Sequence, residues 1–250
     1  MNNYVITALP AFKDNYIWII HNSVAAIVVD AGESGVVERF LAQHDLALAA
    51  ILVTHSHSDH CGGVAALHRA HPDAVIYDNF QHTLGDGDII SLGGFAPIEI
   101  ITTPGHTVEH VVFLFDQKHL FCGDTLFAMG CGRVFTGDFV AMYNSLNKIK
   151  KLAPQVLCYP AHEYTTNNLR FTTSVDKNSG YYQDLANYIL MQLTTTKMSL
   201  PTTIEQELKY NLFLRCQDPA VWTVVSEITK RPIANELECF IAIRELRNEF

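Results

Sequence analysis

The sequence lacks any C-x-x-C pair, and its six cysteines are scattered along the 250 residues as Cys61, Cys122, Cys131, Cys158, Cys216 and Cys239. This spacing excludes the dense disulfide framework that stabilises many short secreted domains. A buried free cysteine commonly packs as a small hydrophobic side chain. We therefore predict six reduced thiols, each with a packing role, and a cytoplasmic location.

Long hydrophobic runs and basic residues are also scarce. No apolar run approaches the about 20 residues of a membrane-spanning helix, and the N-terminus has neither the basic flank nor the apolar core of a signal peptide. Lysine and arginine total 17 against 26 aspartates and glutamates, which gives a formal net charge of −9. Because nucleic acids and anionic membranes favour basic surfaces, we expect neither as a partner. We expect a monomer that acts on a small molecule.

Two patterns of hydrophobic residues divide the chain. Up to about residue 165, short β-rich runs ("YVITAL", "NYIWII", "AAIVVD", "AAILVT", "AVIY", "IEIITT", "HVVFLF", "HLFC", "VLCYP") alternate with helical spacing at 36–41, 64–71 and 139–152. After about residue 172 the strand pattern fades, and helical periodicity dominates. Strands covered by helices indicate a layered α/β protein. We predict an α/β domain over residues 1–171 and a small all-helical domain over residues 172–250.

Metal-binding types of side chain are crowded after one predicted strand. The segment "ILVTHSHSDHCGG" carries His55, His57, Asp59 and His60. Three more such side chains follow other predicted strands, namely His106, Asp124 and His162. If these strands are neighbours in one sheet, their ends converge on one rim, and a strand end holds a ligand in rigid geometry. The alternative is a polar loop with coincidental histidines.

Seven ligands exceed the three protein groups of a zinc with an open catalytic position. They suit two cations that share a carboxylate. Imidazoles with few carboxylates favour zinc, iron or manganese over calcium or magnesium. We therefore expect two divalent metal ions per chain, with zinc as the first choice.

The run T-H-x-H-x-D-H, followed in order by His106, Asp124 and His162, resembles the metallo-β-lactamase superfamily. The segments "FKDNYIWII", "LFCGDTLFAMGCGRVFTG", "MYNSL", "AHEYTTNNLRF", "NLFLR" and "IRELRNEF" resemble its glyoxalase II family, the hydroxyacylglutathione hydrolases, and the resemblance covers nearly the whole chain. It implies an αβ/βα four-layer sandwich with the metals at one edge and a small C-terminal helical domain. It also implies that His55, His57 and His106 bind one metal, that Asp59, His60 and His162 bind the other, and that Asp124 bridges them.

Candidate substrate contacts rest mainly on the same resemblance. From the residues alone, Arg133 could equally be a solvated loop charge, while Arg244 and Arg247 would form a solvated helix face with nearby glutamates. The resemblance instead implies glutathione contacts by Arg133, Phe135, Tyr164, Arg244 and Arg247. Phe135 stands where the family often has tyrosine, so an apolar contact remains without a hydroxyl. His110 is expected to make structural hydrogen bonds.

The resemblance implies hydrolysis of S-2-hydroxyacyl-glutathione thioesters, typically S-D-lactoylglutathione to D-lactate and glutathione, the second step of methylglyoxal detoxification. Asp59 would orient the nucleophile as well as bind metal, and the thiol of glutathione, with a pKa of about 8.5, can leave without a general acid. A persulfide dioxygenase or an RNA-processing nuclease could use a similar ligand set, although the net charge disfavours the nuclease. A non-catalytic scaffold is disfavoured because structural zinc sites are closed by four ligands.

Overall fold

Two β-sheets form the centre of the molecule in a computed structural model that describes residues 4–177 and 179–250. The first sheet has the strand order β1-β2-β3-β4-β5 and comprises Val5–Ala11, Asn15–His21, Ala25–Val29, Ala47–Leu52 and Val75–Tyr77. The second has the order β13-β12-β9-β8-β7-β6. It comprises β6 (Ile89–Ile90), β7 (Ile98–Thr102), β8 (Val111–Phe115), β9 (His119–Gly123), β12 (Leu157–Pro160) and β13 (Thr202–Thr203). A short hairpin, β10 (Leu126–Phe127) and β11 (Gly130–Cys131), follows β9.

The two sheets pack face to face. Trp18, Ile27 and Leu52 of the first sheet meet Phe113 and Phe121 of the second in one buried cluster. Strand β2 is buried on both faces, because the other face of the first sheet is covered by helices. Burial of such side chains contributes roughly 1.5–3 kcal/mol each.

Helices cover the outer faces of both sheets. On the first sheet lie α1 (Ser34–His44) and α3 (Val64–Ala70), with the single turn α2 (Ser58–Cys61) directly before α3. On the second sheet lies α4 (Phe139–Ile149), which buries Met142, Leu146 and Ile149 against it. The order helix, sheet, sheet, helix confirms the predicted αβ/βα four-layer sandwich.

The C-terminal part is helical, as predicted. It contains α5 (Thr165–Val175), α6 (Ser179–Thr195), α7 (Ile204–Tyr210), a 3₁₀ turn (Leu212–Leu214), α8 (Pro219–Thr229) and α9 (Glu236–Glu249). A capping box begins α7, since the Thr203 hydroxyl accepts the Gln206 N–H while the Gln206 side chain accepts the Thr203 N–H. Within the described residues, no helix is both long and apolar enough to cross a bilayer.

The helical part packs closely onto the sandwich. Phe213, Phe240 and Ile243 share one buried cluster with Leu114 and Leu120 of the second sheet. Strand β13 comes from the C-terminal part yet pairs with β12, and α5 runs without a break through residue 171. The division at residues 171 and 172 stays a prediction, and residues 1–3 and 178 of the predicted domains lie outside the described residues.

Candidate metal centre

The predicted ligands meet where strands of both sheets end. His55 and His57 follow β4 of the first sheet, whereas His106, Asp124 and His162 follow β7, β9 and β12 of the second. The strands are therefore not all neighbours in one sheet, so the condition stated for a single rim is not met. Two facing rims supply the ligands, because the core between the sheets brings their strand ends together.

The two rims approach each other closely at Gly123. It ends β9 with φ +47°, and a Cβ atom there would lie 2.4 Å from the Thr54 hydroxyl oxygen of the facing rim. A side chain at this position would push the segment that carries His55 away from Asp124. Glycine is therefore required for the two rims to meet.

Three imidazoles form what we call the first half of the centre: His55, His57 and His106. The His55 Nε2 and His57 Nδ1 atoms are 2.9 Å apart, and His57 Nδ1 lies 3.1 Å from His106 Nε2. The outer Nδ1 atom of His55 faces the Thr54 hydroxyl at 3.1 Å, and that of His106 donates to the Arg133 carbonyl oxygen at 2.8 Å. Burial lowers the pKa of His55 and of His106, which favours the neutral imidazole that binds metals.

Asp59, His60 and His162 form the second half. The Asp59 Oδ2 atom lies 3.5 Å from His60 Nε2 and 3.4 Å from His162 Nε2. Asp124 faces both halves, because its Oδ1 atom is 3.4 Å from His162 Nε2 and its Oδ2 atom is 3.4 Å from His106 Nε2. Its position matches the bridging carboxylate that the resemblance implies.

Two buried polar atoms at the middle of the cluster have no hydrogen-bond partner among the described residues, His60 Nε2 and Asp124 Oδ1. They lie 3.5 Å apart. Leaving such groups unpaired costs roughly 1–3 kcal/mol each, and a cation bound between them would remove that cost. Groups of three candidate ligand atoms within 4.8 Å of one another occur as His55/His57/His106, His55/His60/Asp124 and Asp59/His60/His162. The donor set is therefore compatible with a dinuclear metal site.

The carboxylates favour positive charge at the second half. Burial lowers the pKa of His60, but Asp124 and Asp30 outweigh burial and raise this pKa to about 9. A hydrogen bond with His162 is the main reason why the pKa of Asp59 is lowered. These carboxylates therefore make the second half an environment that attracts positive charge.

Three residues that the sequence analysis did not identify make hydrogen bonds to the candidate ligands or to residues next to them. Asp30, at the end of β3, accepts hydrogen bonds from His60 Nδ1 at 3.0 Å and from the Thr54 N–H at 2.8 Å. Asp14 accepts from His162 Nδ1 at 2.9 Å, and Asn15 donates to Asp59 Oδ2 at 3.0 Å. Asp30 follows a strand as the ligands do, so the strand-end rule could have found it.

His110 makes structural hydrogen bonds, as expected. It is fully buried, its Nε2 atom accepts the Asp124 N–H at 3.2 Å, and its Nδ1 atom lies 2.9 Å from the Thr103 hydroxyl oxygen. Its ring stacks on that of His55 with centroids 4.8 Å apart. His110 thus supports one ligand from each rim.

Glu163 connects the metal centre to the helical part. It directly follows His162, and its carboxylate accepts hydrogen bonds from the Ser199 N–H at 2.8 Å and the Ser199 hydroxyl at 2.6 Å. It also accepts from the hydroxyl of Tyr16 on β2 at 3.2 Å and from that of Thr165 at 2.7 Å. The first sheet, the last ligand and the segment after α6 therefore meet at one carboxylate.

Three of the predicted substrate contacts surround the centre. The Phe135 ring is 60% exposed and lies edge-on to His57 and His106, with centroids 5.5 and 5.2 Å away. Arg133 is exposed, and its guanidinium carbon lies 5.9 Å from the centroid of the Phe135 ring. The Tyr164 ring stacks on His162, with centroids 4.7 Å apart. The structure thus brings all three near the predicted ligands.

The two arginines of α9 are placed differently from each other. Arg244 is only 5% exposed, and its Nη1 atom donates to the carbonyl oxygens of Cys131 at 2.8 Å and Gly132 at 3.4 Å. This position does not match a solvent-facing anchor, because the guanidinium is committed to the loop before Arg133. Arg247 is half-buried and donates to the Asn168 side chain at 3.2 Å.

Comparisons with known proteins agree with this geometry. The sequence model described as "Metallo-beta-lactamase superfamily" matches residues 12–83 and 77–162, and that described as "Hydroxyacylglutathione hydrolase C-terminus" matches residues 163–250. Proteins named hydroxyacylglutathione hydrolase match the chain in Aliivibrio salmonicida (39% identity, 98% of this chain, 99% of the relative) and Cupriavidus taiwanensis (40%, 98% and 98%). The hydroxyacylglutathione hydrolase of Haemophilus ducreyi is 42% identical, over 86% of this chain and 94% of the relative.

Solved structures support the fold. The crystal structure of ETHE1 from Myxococcus xanthus superposes with a TM-score of 0.66 at 21% identity, over 96% of this chain and 90% of that one. The B3 metallo-beta-lactamase BLEG-1 superposes with a TM-score of 0.64 at 21% identity, over 84% and 99%. At this identity the likeness concerns the fold alone.

The sandwich and the histidine-aspartate cluster at its rim, together with the family match, define the chain as a member of the metallo-β-lactamase superfamily. Within that superfamily it belongs to the hydroxyacylglutathione hydrolase family, to which its nearly full-length relatives belong. The predicted resemblance to glyoxalase II is confirmed, and so is the prediction that the chain is an enzyme.

Proposed function

We propose that the chain hydrolyses S-2-hydroxyacyl-glutathione thioesters, with S-D-lactoylglutathione giving D-lactate and glutathione as the second step of methylglyoxal detoxification. The observation that carries this proposal is the convergence of seven ligand-type side chains where the two facing rims meet, in a chain of this family. The names of relatives about 40% identical to the chain support the substrate class.

Two divalent cations, zinc first, with iron or manganese as alternatives, would bind at the two halves, with Asp124 between them. Bound there, they would polarise the thioester carbonyl and make water a nucleophile near neutral pH. Three histidine nitrogens in the first half, two histidine nitrogens with Asp59 in the second half, and Asp124 facing both are donors that such ions prefer.

The protein's own groups would orient the reactants. One oxygen of Asp59 is held by Asn15 and faces both second-half histidines, so this carboxylate is placed to direct a nucleophile as well as to bind metal. The exposed Phe135 ring covers the edges of two first-half histidines and would exclude water from that side of the scissile bond. The departing thiolate needs no proton, since a thiol with a pKa of about 8.5 is a good leaving group.

Recognition of the tripeptide would use local positive charge, because a net charge of −9 opposes capture of an anion at long range. We assign carboxylate binding to Arg133 and Arg247 and a stacking or hydrogen-bonding contact to Tyr164. Arg244 would act from inside the protein by positioning the loop that presents Arg133. A division of labour follows, in which residues 1–171 carry the chemistry and residues 172–250 contribute to binding.

We further propose that the enzyme acts as a cytoplasmic monomer. The six cysteines are all free, which fits a reducing compartment. The acidic net charge gives no basis for a nucleic-acid partner.

A thioester panel tests the function directly. Metal-replete protein should release free thiol from S-D-lactoylglutathione, and prior chelation should abolish the release until zinc is restored. His57→Ala should be nearly inactive. Cys61→Ala should keep most activity, because the Cys61 thiol donates to the Ser56 carbonyl oxygen and is not one of the candidate ligand groups. Thiol release that survives complete metal removal would rule out the proposal.

A further inference from the structure

The two halves of the metal centre differ in the hydrogen-bond partners of their outer histidine nitrogens, which are the ring nitrogens that face away from the centre. In the first half, the outer nitrogens face uncharged oxygens, the Thr54 hydroxyl for His55 and the Arg133 carbonyl for His106. In the second half, both outer nitrogens donate to carboxylates: His60 to Asp30 at 3.0 Å and His162 to Asp14 at 2.9 Å. The difference holds for all four of these contacts, two in each half.

The two supporting carboxylates have different reach. Asp30 accepts from His60, but it also accepts from the N–H and hydroxyl of Thr54, whose oxygen faces His55 of the first half. Asp14, on the turn between β1 and β2, contacts His162 of the second half, and its side chain is 33% exposed. Asp30 therefore supports both halves, whereas Asp14 supports the second half alone.

We propose that Asp14 is a positioning residue that sets how tightly the second half holds its cation, without influence on the first half. A carboxylate that accepts the outer N–H of an imidazole fixes the ring's orientation and makes the inner nitrogen a stronger donor, and its loss typically costs about 10–100-fold in metal affinity. Its negative charge also attracts the nearby ion. The inference rests on the proposed dinuclear centre, and its test uses zinc binding rather than thioester hydrolysis.

The experiment measures Asp14→Asn in two single-half backgrounds. His57→Ala removes a first-half ligand and keeps Asp59, His60 and His162, whereas Asp59→Ala removes a second-half ligand and keeps the three first-half histidines. The zinc affinity of each background, with and without Asp14→Asn, is obtained by competition with a chromogenic zinc indicator. Asparagine has the same shape as aspartate, and the partly exposed position tolerates it, which far-UV circular dichroism checks in every variant.

Asp14→Asn should weaken zinc binding at least about tenfold in the His57→Ala background and leave it nearly unchanged in the Asp59→Ala background. A ratio of the two effects below about fivefold would overturn the proposal, because the residue would then act on the fold or on the whole centre. Failure of both backgrounds to bind zinc would overturn it together with the dinuclear centre. A protein that binds zinc as expected but hydrolyses no thioester would leave the inference standing and remove the proposed function.

As a matched comparison, Asp30→Asn should weaken zinc binding in both backgrounds, since Asp30 contacts His60 directly and His55 through Thr54. Selective loss at the second half for Asp14→Asn, beside loss at both halves for Asp30→Asn, is the pattern that the hydrogen bonds demand. Loss at both halves for Asp14→Asn, beside selective loss for Asp30→Asn, would contradict the proposal.

Discussion

Asp124 stands where the two halves of the cluster meet, and each of its oxygens faces a different half. Its Oδ1 atom is close to His60 and His162, and its Oδ2 atom is close to His106. In the proposed dinuclear centre, a single carboxylate in this position would neutralise charge from both cations and couple the two halves.

Replacing this residue gives the first prediction. Asp124→Ala should reduce bound metal from about two ions per chain to well below that number, because both halves lose a ligand. Elemental analysis after dialysis measures the effect, and Cys61→Ala is the control that should retain both ions. A variant with undiminished metal content and activity would disprove the bridging role.

All seven candidate ligands could be named from the sequence because each follows a strand with a recognisable apolar pattern. Their supporting residues were harder to find. Asp14 lies on the turn before β2 and Asn15 begins β2, with no metal-type spacing, and their link to His162 and Asp59 depends on a contact between distant parts of the chain. Pairing across such separations is a property of the fold, which local pattern does not encode.

At the scale of the elements, the long strands and amphipathic helices were predictable, and the shortest elements were not. Strands β6, β10, β11 and β13 have two residues each, too few for any periodic pattern. Helix α5 was also missed, because its polar sequence "TTNNLRFTTSV" buries Phe171 and Val175 among threonines and asparagines. Tertiary packing, rather than local propensity, stabilises such a helix.

Helix α9 gives two predictions that separate its arginines. Arg244→Ala should lower the free energy of unfolding by about 3 kcal/mol, because it leaves the Cys131 and Gly132 carbonyls without their charged donor in the interior. Urea denaturation measures this change, and Arg39→Ala on the exposed face of α1 is the surface control. A stability loss no larger than that of the control would show that the buried contacts contribute little.

Arg247→Ala should instead affect binding. The KM for a glutathione thioester should rise about tenfold, a loss of about 1.4 kcal/mol, while kcat stays constant, because the group binds ground state and transition state alike. Steady-state kinetics with a small thioester that lacks the tripeptide provides the control and should hardly change. An equal fall of kcat for both substrates at full metal content would show that the helix supports the metal centre instead. A double Arg244/Arg247 variant would combine a loss of stability with a loss of binding, because Arg244 is buried and Arg247 is only half-buried.

At the scale of the whole molecule, one buried carboxyl makes stability depend on pH. Glu207 on α7 accepts the Met129 N–H and an Asn211 N–H, both at 2.9 Å, at the contact between the helical part and the β10–β11 hairpin. Burial raises the pKa of Glu207 from its usual 4.5 to about 7. The folded protein therefore keeps this proton over a range in which the unfolded chain has released it.

Stability from this group is fully present below about pH 4.5 and falls as the pH rises to about 7, by roughly 3 kcal/mol. Glu207→Gln should remove this slope, so that the variant gains stability relative to the wild-type protein between pH 5 and about 7. Thermal or urea unfolding across this range measures the difference. Glu205→Gln, at an exposed position on the same helix, should keep the wild-type slope. Parallel pH profiles for all three proteins would contradict the role of Glu207.

Glu163 has a consequence for how such a protein can be assembled in evolution or in the laboratory. The match to the C-terminal family begins at this residue, one position after the last candidate ligand, and its carboxylate ties β2 to the segment after α6. The two family matches therefore meet at a residue with several hydrogen bonds rather than in a linker. A helical part transplanted from another lineage would bring its own geometry directly to the backbone of His162. We therefore expect the sandwich and the helical part to evolve together, and we expect chimaeras that combine these parts from different homologues to fit poorly at Glu163.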